Sequence, residues 1–456
     1  MRVRWAIFQR CPSTLSAPPA SIPFRTALRY WLKLGFISFG GPAGQIAMMH
    51  AELVERRRWI SERRFLHALN YCMVLPGPEA TQLAIYIGWL MHRVPGGIAA
   101  GVLFVLPSLL VLIALSWIYM AWGQLPAVAG IMAGIKPAVV AIVLAAAWRI
   151  GSRTLRNGVL VSVALAAFVG IDLLGVPFPL IVLGAAAVGL VGGRLRPALF
   201  DIGGAHAAAK DGTPHPPAVI DDTTPTPAHA RFGWRRLATV GAAGCAIGFA
   251  AWGVLAFVYG PDGELPRMAA FFGKTALLTF GGAYAVLPYV VQHAVEQYHW
   301  LDAGQMIDGL ALGETTPGPL IMIVAFVGFV GGWTHALFGP GARFLAGAAA
   351  ASVVTFFTFL PSFVFILAGG PLVESTRDDV RLTAPLTAIS AAVVGVIASL
   401  AVFFGAHVFV AHGAPRWDAI AIGAAAAVAL LRYRTGTIKT ILACALAGLL
   451  LSYWHG

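Results

Sequence analysis

Four short interruptions in apolar surroundings hold the residues best suited to chemistry. Phe39-Gly40-Gly41-Pro42 and Pro76-Gly77-Pro78-Glu79 lie in the first half of the chain; Phe280-Gly281-Gly282 and Glu314-Thr315-Thr316-Pro317-Gly318-Pro319 lie in the second. Proline breaks a helix interior but sits at no cost in a first turn. Pro42 and Pro78 are therefore predicted to open half-helices, with Pro76, Pro317 and Pro319 completing the breaks. The free N–H groups and positive dipole end at such a tip favour an anion. Gly40, Gly41, Gly77, Gly281, Gly282 and Gly318 would let that anion approach the main chain. Gln82, Thr315 and Thr316 add side-chain donors, although both threonines serve equally well as helix caps. Lys33 and Lys274 stand six residues before the Phe of each Phe-Gly-Gly, and an embedded charge of this kind is a functional candidate. The competing reading is snorkelling to the interface. Glu79 and Glu314 cannot bind an anion while ionised and suit proton coupling better.

The surrounding composition says what must position these residues. Of 456 residues, 59% are hydrophobic and 11% charged, which excludes an ordinary soluble domain. Apolar stretches long enough to cover a hydrocarbon core of roughly 30 Å recur along the chain. This composition specifies a polytopic membrane protein. The basic N-terminal tail, residues 1–24, lacks a sustained apolar region and reads as cytoplasmic, not as a cleaved signal. The net charge of +12 does not point to nucleic acid, because the basic residues lie between apolar segments, as the positive-inside rule predicts. The four cysteines are scattered packing residues. No P-loop, HExxH or GxSxG occurs, so neither an enzyme nor a cofactor or metal is expected. His67 and Asp308 occupy matching repeat positions without an evident metal or triad partner.

The breakers repeat. A shift of 241 positions superimposes Lys33 to Pro78 on Lys274 to Pro319 without a gap, and Pro107-Ser108 matches Pro361-Ser362 at a shift of 254, which implies a 13-residue insertion in the second copy. Trp59-Ile60-Ser61 and Trp300-Leu301-Asp302 each read as an interfacial tryptophan followed by an N-cap. The expected domains are a first repeat at 25–196, a disordered cytoplasmic linker at 197–233, a linking transmembrane helix at 234–259 and a second repeat at 260–456. One extra span would invert the second copy. The loop charges fit, since Arg56, Arg57, Arg58, Arg63 and Arg64 have no basic counterparts in "HAVEQYHWLDAGQM". If 25–55 and 65–92 are re-entrant hairpins, only Arg267, Arg343 and Arg416 fall outside, while Lys33, Lys136 and Lys274 are embedded. That version, preferred here, gives nine full spans; full crossing gives thirteen. The fold class is an all-α polytopic membrane protein of two inverted-topology repeats with broken or re-entrant helices, joined by the linker and one extra helix.

The motifs "FGGPAGQIAMM", "LPGPEATQLAIYIGW", "FGGAYAVLPYVV" and "LGETTPGPLIMIVAFVGF", with the paired Pro-Ser segments, resemble the chromate transporter family in its long two-domain form. The resemblance covers about residues 25 to 430, with motifs in the correct order in both halves. It implies a multi-pass protein of the bacterial inner membrane that exports chromate and confers chromate resistance, with sulfate as a structural analogue. Transport of sulfate or another tetrahedral oxyanion is the alternative. The implied partners are chromate and the lipid bilayer, with no nucleic acid; a homodimer stays open.

Overall fold

The computed structural model describes residues 22–39, 41–200, 217–222, 224–225, 227–280, 282–375, 383–411 and 413–455. Gly40 and Gly281, and the N-terminal tail up to residue 21, lie outside the described residues. In a hydrocarbon environment every backbone donor must be met inside the protein, which a helix does within its own segment, and the described chain is accordingly almost all helix. The first half holds α1 (Phe24–Ile37), α2 (Gly41–His50) running into a π-helical turn (Ala51–Arg56), α3 (Glu62–Val74), α4 (Glu79–Trp122), α5 (Pro126–Thr154), α6 (Gly158–Asp172), α7 (Phe178–Leu195) and the short α8 (Pro197–Phe200). After α9 (Trp234–Tyr259) follow α10 (Glu264–Leu277), α11 (Ala283–Val291) with a second π-helical turn (Gln292–Gln297), α12 (Ala303–Thr315), α13 (Ile323–Thr334), α14 (Arg343–Ser375), α15 (Thr383–Phe409), α16 (Trp417–Leu431) and α17 (Thr437–His455). Among the described residues, six helices are long and apolar enough to cross a membrane. The molecule is an all-α polytopic membrane protein.

Local structure recurs at the sequence shift. The π-helical turns and the helices α3 and α12 have bounds related by 241 residues. Ser61 caps α3 by accepting from the Arg64 N–H, and Asp302 caps α12 in a reciprocal box with Gln305. These caps terminate loops whose tryptophans, Trp59 and Trp300, are buried. Helices α1 and α10 each present an apolar stripe at three- and four-residue spacing: Ala27, Tyr30, Trp31 and Leu34 in one, Leu265, Met268, Ala269 and Phe272 in the other. The stripes pack on α4 and α14 respectively.

The insertion also has a structural cause. Helix α4 is a hairpin, bent where His92 and Arg93 leave helical geometry, Arg93 with φ 58°. Its arms pack so closely that a Cβ on Gly88 would come within 2.5 Å of the Gly96 carbonyl oxygen. In the second half the equivalent hairpin is formed by α13 and α14, with a Cβ on Gly332 2.5 Å from the Ala346 carbonyl. A longer connection, including the turn Pro340–Ala342, joins these two helices. The extra residues therefore widen a turn and leave the packed arms alike.

One end of the bundle collects several chain segments. The His92 ring donates to the Ile22 carbonyl (2.8 Å) at the start of α1. Val219 and Ile220 donate their N–H groups to the carbonyls of Arg58 (2.9 Å) and Trp59 (3.1 Å), and Ser61 returns one to Ile220 (3.0 Å). Ser61 Oγ donates to Asp222 (2.6 Å), Arg64 to the Thr224 carbonyl (2.6 Å), and the His229 ring to the Trp89 carbonyl (3.1 Å). The segment read as disordered thus carries, from residue 217, an ordered stretch docked on the α2–α3 loop; residues 201–216 lie outside the described residues. Both broken segments, 24–56 and 62–91, begin and end here. At 14 residues, α1 is about 21 Å long, short of a full crossing. In the second half Trp300 donates to Glu264 at the start of α10 (2.8 Å), so that segment also returns to its own starting end. Helix α9 is peripheral, with Gly244 its one buried residue, seated against Val364 of α14.

Candidate anion site at the crossed helix breaks

Each broken segment of one half docks on the other half. The Gly77 N–H donates to the Thr279 carbonyl (2.7 Å), and the Gly318 N–H donates to the Ser38 carbonyl (2.8 Å). Positions 38 and 279, like 77 and 318, are related by the repeat shift. The two Pro-Gly-Pro turns therefore clasp the two opposite breaks reciprocally. Both glycines have positive φ, 123° at Gly77 and 107° at Gly318, the conformation that turns the N–H across the interface. A Cβ on Gly77 would lie 2.5 Å from Ser362 Oγ, and one on Gly318 would lie 2.6 Å from Ser108 Cβ. The Pro-Ser pairs of α4 and α14 thus line the clasp from behind, again crosswise.

Around this crossing lies a dense set of buried polar groups. Gln45 donates to the carbonyls of Gly318 (2.5 Å) and Ser38 (3.4 Å). Gln82 donates to the Pro76 carbonyl (2.7 Å) and Ser362 Oγ (3.4 Å). Among the described residues, Ser38 Oγ, Ser108 Oγ and Thr81 Oγ1 are buried with no hydrogen-bond partner, as are the remaining oxygens of Gln45 and Gln82 and one oxygen of Glu79. Buried polar groups are almost always paired, and these hydroxyls are unmet by other groups of the protein. Hydroxyls suit an oxyanion because each supplies one rotatable O–H without a fixed charge.

The predicted residues separate into groups. Gly41 and Pro42 open α2, and nothing lies within 4 Å of a Cβ placed on Gly41. Pro78 sits one position earlier than expected, capping α4 with Glu79 as its first residue. Pro319 caps a 3-10 turn (Leu320–Met322), which then leads into α13. Pro76, Gly77, Gln82, Pro317 and Gly318 belong to the clasp. Thr315 and Thr316 bond back to the carbonyls of Ala311, Leu312 and Gly313, the capping arrangement. Lys33 and Lys274 are exposed on the outer surface of α1 and α10 and are not brought to the breaks. The carboxylates gather at the second Phe-Gly-Gly: Glu79 Oε1 lies 4.0 Å from the Cβ position of Gly282, and Tyr284 donates to Glu314. Glu79 thus borders Gly282 at the α11 tip and Glu314 holds Tyr284 of the same helix, while nothing lies within 4 Å of the Cβ position of Gly41.

Sequence reasoning did not name Ser38, Gln45, Ser108, Thr279, Tyr284 and Ser362, which the structure brings to the crossed breaks. Two signals were present: Ser38 and Thr279 match at the repeat shift, and Ser108 and Ser362 are the serines of the paired Pro-Ser motif. It also missed an ion pair between Lys136 and the buried Asp308 (3.2 Å).

Comparison with known proteins identifies the family. The sequence model of the chromate transporter family matches residues 26–190 and 266–449. A chromate transport protein of Pseudomonas aeruginosa is 33% identical over 399 residues, covering 84% of this chain and 82% of that protein. One of Cupriavidus metallidurans is 28% identical over 373 residues, 82% and 80% respectively. An uncharacterized transporter of Methanocaldococcus jannaschii is 24% identical over 378 residues, 82% of each. No solved structure matches. With the family model matching both halves of a multi-pass chain of this composition, the protein is a transporter and not an enzyme, and it belongs to the chromate transporter family.

Proposed function

We propose that this chain exports chromate across the bacterial inner membrane and so confers chromate resistance, binding the dianion near the bilayer midplane at the crossed breaks. The observation that carries the reading is the reciprocal clasp, with the unpartnered hydroxyls of Ser38 and Ser108 at one of its two contacts. The α2 tip at Gly41–Pro42 adds N–H donors and the positive dipole end. The main-chain N–H groups of Gly77 and Gly318 are engaged in the clasp, so the hydroxyls carry the recognition there and the glycines hold the shape. The names of the relatives supply chromate as the substrate. An inside-negative potential favours outward movement of a dianion by about 4.6 kcal/mol per 100 mV, so efflux needs no other driving force.

The docking of residues 219–220 on residues 58–59 supports the re-entrant topology, since it gathers the linker and the arginines Arg56, Arg57, Arg58, Arg63, Arg64 and Arg93 at one end. By the positive-inside rule that end is cytoplasmic. The repeated local structure and crosswise contacts support two copies of opposite orientation.

Purified protein in vesicles under an imposed potential tests the function. Ser108→Ala should weaken chromate binding by about 1.5–3 kcal/mol, the usual value of a hydrogen bond to a charged group, with insertion unchanged. Gly318→Leu should abolish flux. Wild-type efflux from both variants refutes the site, and chromate flux displaced by equimolar sulfate would transfer the assignment to tetrahedral oxyanions generally.

A further inference from the structure

Eleven residues beyond Ser108 on α4, Tyr119 OH donates to Asp308 Oδ2 (2.8 Å), the same oxygen that Lys136 Nζ of α5 approaches to 3.2 Å. The Asp308 side chain is 3% exposed and that of Lys136 is 29% exposed. The second carboxylate oxygen, Oδ1, is buried without a partner. A buried carboxylate normally has both oxygens hydrogen-bonded, and a free oxygen beside a paired one is a ready place for a proton. The arrangement joins the halves, because Tyr119 and Lys136 belong to the first and Asp308 to the second. It also lies well away from the clasp: Asp308 precedes Thr315 by about 10 Å of helix, and Tyr119 follows Ser108 by about 16 Å. The second arm of α4 runs from the linker end toward Trp122, so the pair stands on the far side of the breaks from the linker.

The charged and titratable groups facing Asp308 are Lys136 from α5, Tyr119 from α4 and Asp302 at the start of its own helix. Asp302 Oδ1 and Lys136 Nζ both border Gly304, 3.1 and 3.4 Å from its Cβ position. Of the other helices packed on α12, α13 carries no ionisable residue. On α15, His407 is exposed and bonded to the Phe403 carbonyl. On α17, Lys439 is exposed and Cys444 is buried beside Gly134.

We propose that Asp308 is a proton-binding site that gates anion passage: charged, it holds Lys136 in the pair joining α12 to α5, and protonated, it releases Lys136 to the departing oxyanion. This rests on the export reading for the anion but not for the proton. One proton from the aqueous phase adds to the carboxylate, and the ammonium exchanges one counter-anion for another. Acidification on the far side therefore promotes passage, and the carboxylate re-forms the pair once the anion leaves. Neutralising only one partner leaves the other charge buried and alone.

The test combines infrared titration of the full-length protein with chromate flux in vesicles. The wild type should show a carboxyl band that appears on acidification and is lost in Asp308→Asn; Glu79 and Glu314 keep their own bands, so the difference spectrum assigns it. Efflux by Asp308→Asn should lose its dependence on the pH of the receiving side, and Lys136→Gln should lower efflux at every pH. If either single variant fails to fold, the double variant Lys136→Gln with Asp308→Asn, which buries no lone charge, carries the same readouts. An unchanged titrating band in Asp308→Asn overturns the proposal, as does retained pH dependence. A wild type that moves no chromate yet shows the Asp308 band leaves the proton site standing and removes the export reading.

Discussion

Substituting Gly318 by alanine separates backbone strain from steric overlap at the clasp. Two costs arise together. At φ 107° an L-residue is strained by about 1–3 kcal/mol. The new Cβ would also stand 2.6 Å from Ser108 Cβ and 2.8 Å from Ser108 Oγ, an overlap of the kind that costs about 1–3 kcal/mol in a packed interior. The sum is about 2–6 kcal/mol. Gly339 provides the control, since it has φ 89° but nothing within 4 Å of its Cβ position; Gly339→Ala carries the strain alone. Adding Ser108→Gly to Gly318→Ala removes the overlap and should return the steric share, about 1–3 kcal/mol. Stability is read as the fraction of protein still monodisperse by size-exclusion chromatography after a temperature series in detergent. The crosswise reasoning fails if Gly318→Ala melts no lower than Gly339→Ala, or if Ser108→Gly restores nothing. The same series at Gly77, whose Cβ would meet Ser362 Oγ at 2.5 Å, should behave alike.

Gln45→Leu removes the side-chain donor to the Gly318 carbonyl and should lower stability by about 1–3 kcal/mol in the same thermal assay. The linker docking should depend on pH: burial, and then the nearby Arg236 and Arg93, hold His229 below the ordinary histidine range, opposed by its bond to the Trp89 carbonyl. Undocking restores the ordinary value of about 6.5, so the undocked state binds more protons and docking weakens as pH falls through that value. Tryptic cleavage at Arg231 should accelerate below it, and a pH-independent rate counts against the docking. Cysteines placed at Arg57 and Tyr298, with the native cysteines removed, should label from opposite faces of the membrane with an impermeant reagent; labelling from one side defeats the inverted arrangement.

Helical class, membrane nature and the positions of the breaks were legible because composition and proline-glycine chemistry act locally. The caps at Ser61 and Asp302 followed from residue type and spacing for the same reason. What escaped depends on distant parts of the chain. Nothing about Gly77 announces that its N–H is satisfied by Thr279, nor does the apolar setting of Lys33 and Lys274 say which side of the helix they occupy. A lysine in an apolar helix can face a site or the surroundings, and only packing decides; these two face outward. Asp308 looked isolated because its partners, Tyr119 and Lys136, lie 189 and 172 residues away. The ordered stretch from residue 217 was hidden by a Pro- and Thr-rich composition typical of disorder, which main-chain pairing with Arg58 and Trp59 outweighs.

The clasp between the halves is written in the main chain. At positions 38 and 279 the acceptor is a carbonyl, so the side chain there is serine in one copy and threonine in the other without affecting the bond. Two halves joined in this way can differ in every side chain around the seam while the seam itself persists. Gln45 is an example, since its counterpart at the repeat shift is Val286. Amides and hydroxyls border both contacts, Gln45 and Ser108 at one and Gln82 and Ser362 at the other, while the carboxylates of Glu79 and Glu314 lie near Gly282 and Tyr284 of the second half alone, a difference that a symmetric pair of identical subunits could not adopt.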